Sequence, residues 1–368
     1  MSVVGTRLHD CPAIQRELND YFLPANCDPS MRADVSPIVQ FLYSQTNTRN
    51  VQQAVVDNGM GKIKQVQMRY DQIIPESEVI EVDECTRDCT ATTKRGDLVT
   101  TYTIDPCIKQ KVEALYDATD FWYNCQSAPE RITKIFAQLI SALRRKTQSK
   151  LVSQLSGLNG NWNDTVHQTF PGSSGSIYVN DSEQLVVKTK KDASEDPMAA
   201  TVANVDTAIM QQEFCSGPAI FTGASYWQYA KLMNVGCCAD NGLNLASIQA
   251  AYGKSIVWDR RLQYYMGVEG GIMMQPGAIQ VIEFNEYQSE QSRVVAGNTQ
   301  FARNYDTLFL VDPLTGIGMN FIISDNCGQV SIIGHTVTKL VTMPFDMFPV
   351  NDYMDGVNYI TEFKVVNV

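Results

Sequence analysis

Three histidines, ten cysteines and a few loop motifs carry whatever chemistry this chain can perform. A serine or cysteine nucleophile needs a base beside it, and His9, His167 and His335 stand in no recognisable arrangement with one. Gly253-Lys254-Ser255 has the tail of a phosphate-binding loop, but Ile248 occupies the place of that motif's first glycine. Ser174 in PGSSGS has the setting of a nucleophile elbow, yet Ser176 stands where the sharp turn demands glycine. Cys85 and Cys89 lie four apart and Cys237 and Cys238 are adjacent, whereas a structural zinc site presents two well-spaced pairs. Arg95-Gly96-Asp97 is an adhesion-like tripeptide, and a glycine between charges is also what an exposed turn contains. Asn163 and Asn180 head glycosylation patterns that stay unused without export. The expectation is a protein that is no enzyme, holds no metal and needs no cofactor.

Composition narrows the class further. A chain of 368 residues exceeds the ~250 to 300 at which single cores stop growing, so two lobes are expected. The net charge of −11 opposes broad binding to a phosphate backbone. Arg144, Arg145, Lys146 and Lys150 form one local basic cluster, read as a solvated helix face. No run approaches the ~20 apolar residues of a membrane span. The first residues lack the basic start and apolar run of a secretion signal, so the expectation is a cytosolic chain whose cysteines stay thiols.

The elements that would position any site are easier to read. Residues 127 to 157 form one helical pattern. Ser127 with Glu130 makes a capping box, Pro129 is tolerated in the first turn, and Gly157 marks the stop. Ile132, Phe136, Leu139 and Leu143 recur on one narrow face, Thr147 interrupts it, and Leu151 and Leu155 resume it. At about 1.5 Å per residue the helix is roughly 40 Å long, a spine rather than an element wrapped by one small core.

Around the spine the period changes. Residues 1 to about 60 carry Pro12, Pro24, Pro29 and Pro37 among short polar stretches and read as an extended arm with a brief helical pattern over Ile38 to Tyr43. Residues 61–106 alternate with period two, Val66, Met68 and Tyr70 on the way out and Leu98, Thr100, Tyr102 and Ile104 on the way back. This predicts a long β-hairpin whose polar tip projects from the body. Ile108 to Tyr123 reads as an amphipathic helix burying Val112, Leu115 and Trp122. After Gly157, the hairpin SIYVNDSEQLVVKTK and helices near Ala200 to Phe214 and Ser225 to Asn234 predict an α+β lobe. The last hundred residues return to strands, with Asp312-Pro313-Leu314-Thr315-Gly316 as a turn between two apolar runs.

Arm, protruding hairpin, spine, α+β lobe and closing strands are assembly parts. In this order they resemble the major capsid proteins of tailed bacteriophages, the Hong Kong 97-type fold. KQVQMRYDQIIPESEVI, QPGAIQVIEFNEY and DTLFLVDPLTGIGMNFIISDNC are similar in wording to capsid proteins of phages infecting Bacteroidota. The resemblance implies an α+β chain divided into an N-terminal arm (1–60), an extended loop (61–106), a peripheral domain with the spine helix (107–160), an axial domain (161–330) and closing strands of the peripheral domain (331–368). It implies an icosahedral shell, made of hexamers and pentamers of this chain in a bacterial host's cytoplasm, that becomes the virion and encloses double-stranded DNA without reading its sequence. Scaffolding and portal proteins would be separate partners, with room for decoration proteins, and no membrane is involved. Val79, Ile80, Lys94, Arg95 and Asp97 of the loop are the expected inter-subunit contacts, and Ile132, Phe136, Leu139 and Leu143 the spine's core positions. Some relatives crosslink a loop lysine to a neighbour's asparagine; Lys94 lies near the tip, but no partner asparagine or glutamate is identified, so that activity is not carried over. An encapsulin-like compartment shares the fold and differs in contents. A cytosolic hydrolase or metal-binding protein is the rival from another class.

Overall fold

The structure is a computed structural model. It describes residues 35–46, 52–57, 64–71, 97–105, 107–117, 128–156, 158, 177–179, 185–188, 197–211, 219–223, 255–266, 270–284, 305–326, 329–343 and 360–366. Helices and strands are mixed, as the two periodicities predict.

The spine is helix α2, Ala128–Leu155, 28 residues without a break at Thr147. Four strands form a sheet against it in the order β11 (Tyr305–Val311), β12 (Gly318–Asn326), β13 (Gln329–Thr336) and β4 (Gln110–Asp117), all antiparallel. Phe136 meets Phe321 of β12 edge to face, ring centroids 5.1 Å apart, a geometry that aromatic quadrupoles favour. Gly334 of β13 lets the helix come this close: a Cβ there would stand 2.6 Å from Phe321 Cε1 and 3.1 Å from Leu143 Cδ1. The buried face is wider than one narrow stripe. Besides Ile135, Phe136, Ala137, Leu139, Ile140, Leu143, Leu151, Val152 and Leu155, it includes the polar Thr133, Ser141, Arg144, Thr147 and Gln148.

Residues 110–117 are a strand, not part of a helix. Val112, Ala114 and Tyr116 face the core at period two, and Leu115, expected inside, is 64% exposed. Ladder bonds to β13, more than 200 positions away, override a local pattern that short apolar spacing leaves ambiguous. Trp122 lies outside the described residues.

The second lobe is a six-stranded sheet in the order β5 (Ile177–Val179), β6 (Leu185–Lys188), β15 (Ile360–Val366), β9 (Gly270–Met274), β7 (Ala219–Thr222) and β8 (Ser255–Trp258). The β15–β6 and β7–β8 pairs are parallel and the rest antiparallel. Helix α3 (Pro197–Gln211) lies against β6, and helix α4 (Arg260–Met266) bridges β7, β9 and the spine. The sheets do not follow the division at residue 330. β11 and β12 belong with the spine, whereas β15 crosses to the other lobe, because strand partners are chosen by non-local pairing that sequence order does not record. Strands β10 (Ile279–Glu283) and β14 (Thr338–Thr342) form a separate antiparallel pair, and β14 also contacts the spine.

The hairpin is present as β2 (Lys64–Asp71) paired with β3 (Asp97–Ile104), register Lys64↔Ile104 to Asp71↔Asp97. Strand β1 (Gln52–Asp57), placed in the arm by sequence, adds to its far side through β2, so a boundary at residue 60 cuts a three-stranded sheet. Helix α1 (Pro37–Thr46) is likewise no free arm. Ile38, Val39 and Leu42 are buried in the same contiguous core that joins Phe136 and Phe321 to Phe221 and Ile272 of the second lobe. Too few for a core of their own, these residues complete one built by others.

Candidate functional site

Among the described residues no group of His, Cys, Asp or Glu has the arrangement of a metal site. His335 is buried on β13, and Cys107 is an exposed free thiol. Ser255 opens β8; Ser174, Ser176, the paired cysteines and the other two histidines lie outside the described residues, as do Ser225 to Asn234. No described helix is long and apolar enough to cross a membrane.

Of the loop positions, Val79, Ile80, Lys94 and Arg95 lie outside the described residues, and Asp97 begins β3 opposite Asp71. Of the spine positions, Ile132 lies on α2, and Phe136, Leu139 and Leu143 are buried on it.

The hairpin is moored at its base. Tyr102 Oη donates to the Thr342 carbonyl at 2.6 Å, Lys339 Nζ donates to the Thr103 carbonyl at 3.1 Å, and Ile104 is buried. Away from the base Val99 and Thr101 are exposed, on a strand that at ~3.3 Å per residue spans roughly 26 Å.

The spine is bonded to strands by polar groups as well as packed. Thr147 Oγ1 lies 2.9 Å from Thr336 Oγ1, Lys150 Nζ donates to the Thr338 carbonyl at 2.9 Å, and the Leu340 amide donates to Gln154 Oε1 at 3.2 Å. Helix positions 147, 150 and 154 thus meet strand positions 336, 338 and 340, a matching of periods 3.6 and 2. This is why the apolar stripe is interrupted at Thr147 while the helix continues. Burial lowers the Lys150 pKa below its ordinary value.

Arg144 was expected in solvent and is instead fully buried, with Nη1 3.3 Å from Asp312 Oδ1. Arg145 and Lys146 remain exposed and Lys150 is half-buried, so the basic cluster is split by the helix's own rotation. Asp312 also accepts from Thr315 Oγ1 and, at 3.4 Å, from the Leu314 amide. The turn closes with Gly316 N–H on the Asp312 carbonyl at 2.8 Å, and Gly316 has φ +80°, which favours glycine. Burial raises the Asp312 pKa above the usual carboxylate range, offset in part by Arg144, Thr315 and the Leu314 amide. Beside it Tyr43 donates to Glu283, whose carboxylate also takes the Gly318 amide at 3.2 Å on each oxygen. Burial, then Glu283, pushes Tyr43 well above its ordinary pKa. Ser36 donates to Asp259, which pairs with Arg261 at 3.5 Å. Helix α1 is therefore tied to the second lobe at one end and to the β10–β12 corner at the other.

These groups tie the spine, α1 and the strands to one another, and the β2–β3 strand pair is moored to β14 at one end.

No family model matches the chain, and no curated protein matches it in sequence. Solved structures with a related backbone include the mature capsid of bacteriophage PhiM1, at 11% identity and TM-score 0.42 over 83% of this chain and 82% of that one. The capsid of cyanophage P-SCSP1u gives 12% identity and TM-score 0.39 over 84% of each chain. A virus-like particle from Pyrococcus furiosus gives 8% and 0.37 over 89% of this chain and 98% of that one.

Proposed function

We propose that this chain is the major capsid protein of a tailed phage, with a Hong Kong 97-type fold, that self-assembles into the icosahedral head shell around double-stranded DNA. The observation that carries the reading is the β2–β3 hairpin, moored to β14 at its base through Tyr102 and the Thr103 carbonyl and exposed at Val99 and Thr101. A strand pair built this way gives a neighbour a large contact area without enlarging its own core, which is what a shell of many copies needs. In this reading Val79, Ile80, Lys94, Arg95 and Asp97 touch neighbouring subunits. The unbroken spine keeps the mooring rigid.

The chain's own role is structural, not enzymatic. Hexamers and pentamers form in the bacterial host's cytoplasm with separate scaffolding and portal proteins, and the product is the virion. The net charge of −11 suits a container whose DNA slides rather than sticks. Negative-stain microscopy of particles recovered from cells that produce the chain tests the reading, with closed shells of uniform size expected and no cargo enzyme inside. Deleting Val79 to Arg95 should leave a soluble protein that assembles poorly. A monomer in both proteins, or normal particles from the deletion, overturns it.

A further inference from the structure

The spine has a solvent side as well as a packed one. Gln138, Arg145, Lys146 and Ser153 are exposed on it and Lys134 is half-buried. At about 100° per residue Lys134, Gln138 and Arg145 fall within about 40° of one another around the axis, and Lys146 flanks them, so three cations lie along roughly 18 Å of the helix. From Arg131 to Leu155 the helix has no Asp or Glu, in a chain whose acidic residues outnumber its basic ones by 40 to 29. Among the described residues no carboxylate pairs with Lys134, Arg145 or Lys146, and Arg145 Nε donates to the Ser141 carbonyl at 3.3 Å. A face that is only solvated mixes the two signs, because Glu and Lys four residues apart support a helix and like charges at that spacing weaken it. Lys146 and Lys150 are such a like pair, and Lys150 donates to the Thr338 carbonyl. The stripe costs the helix stability, and its charge is left to be met from outside the subunit.

We propose that this stripe touches the phosphate backbone of the enclosed double-stranded DNA, so that the solvent side of the spine is turned to the interior of the shell; the inference rests on the shell reading. The duplex carries one negative charge per ~1.7 Å of its axis, so a row of three cations meets phosphates in any register. Such contacts carry no sequence information, as a container for DNA of any sequence requires. Three of them bind weakly in one copy and add up over the many copies of a shell, while the net charge of −11 keeps the rest of the subunit from adhering.

Titrating the purified, unassembled full chain into a short labelled DNA duplex of mixed sequence, from low salt upward, tests this. The logarithm of the affinity should fall with the logarithm of salt at a slope of about −2.7, about 0.9 for each cation, and Lys134→Gln, Arg145→Gln or Lys146→Gln should each remove about 0.9 of it. All three together should abolish the binding. Arg145→Lys, which keeps the charge, should retain the slope, and Lys111→Gln, on the exposed face of β4, should leave the affinity unchanged. Circular dichroism checks that the triple variant keeps the parent's helix, and if it unfolds, the three single variants carry the same test. Equal binding by parent and variants, or none by the parent, overturns the DNA contact and leaves the shell reading to stand on its particles. Tighter binding to polyglutamate than to DNA at the same salt assigns the stripe to an acidic protein and likewise overturns it. The expected slopes from a chain that forms no particles support the phosphate contact and remove the shell reading.

Discussion

Arg144 on the spine helix and Asp312 in the β11–β12 turn form an ion pair whose side chains have no solvent exposure, guanidinium Nη1 to carboxylate Oδ1 at 3.3 Å. Each pins a different structural unit, the helix interior and a turn whose shape depends on the same carboxylate. Removing one partner leaves the other buried. Arg144→Met should therefore destabilise the subunit by about 3 to 5 kcal/mol, and Arg144→Met with Asp312→Asn should recover a large part of that loss. Chemical denaturation of the single and double variants measures the coupling; losses that simply add would mean that the two groups act independently.

The same pair predicts a pH dependence. Asp312 has a folded pKa raised by burial, so its stabilising contribution is fully present below the ordinary carboxylate value of about 3.9 and is lost as pH rises through the raised one. Without Arg144 the carboxyl rises further, and the window extends upward. The destabilisation caused by Arg144→Met should thus be largest near about pH 7 and shrink as pH falls toward the ordinary carboxylate value of about 3.9, because the carboxyl left without its partner is increasingly protonated. Urea midpoints across that range give the result, and a penalty independent of pH contradicts the assignment.

Leu139 and Arg145 lie on different faces of the spine, about 120° apart around its axis. Leu139 is 6% exposed, and Leu139→Asp buries an unpaired carboxylate at a cost of several kcal/mol, enough to prevent folding. Arg145 is exposed, and Arg145→Glu should stay within about 0.5 kcal/mol of the parent and affect assembly at most. Far-UV circular dichroism with thermal melting separates the two outcomes. Equal effects would contradict the orientation of the helix.

Gly334 sets the distance between the spine and its sheet. In Gly334→Ala the new methyl group meets Phe321 Cε1 at 2.6 Å, so ring or backbone must shift, and the cost should be about 1 to 3 kcal/mol. Phe321→Leu in the same chain should relieve part of it. A neutral Gly334→Ala would mean that the helix can stand farther off.

Sequence alone determined the elements whose signal is local. Twenty-eight residues of helical period with Gly157 beyond them made the spine legible, and apolar alternation made β3 and the β11–β12 hairpin with its 312–316 turn legible. The tertiary structure decided what depends on distant partners. Residues 110–117 became a strand because β13 offered a ladder, and α1 entered the core because Ile38, Val39 and Leu42 could join apolar groups from both lobes. Arg144 has the same local context as the exposed Arg145. It is buried because Asp312, 168 positions later, supplies an opposite charge where water is absent, and a buried cation is tolerated only with such a partner. Local periodicity records which face a residue occupies, whereas which strand or charge waits on that face is set by contacts between residues far apart in the chain.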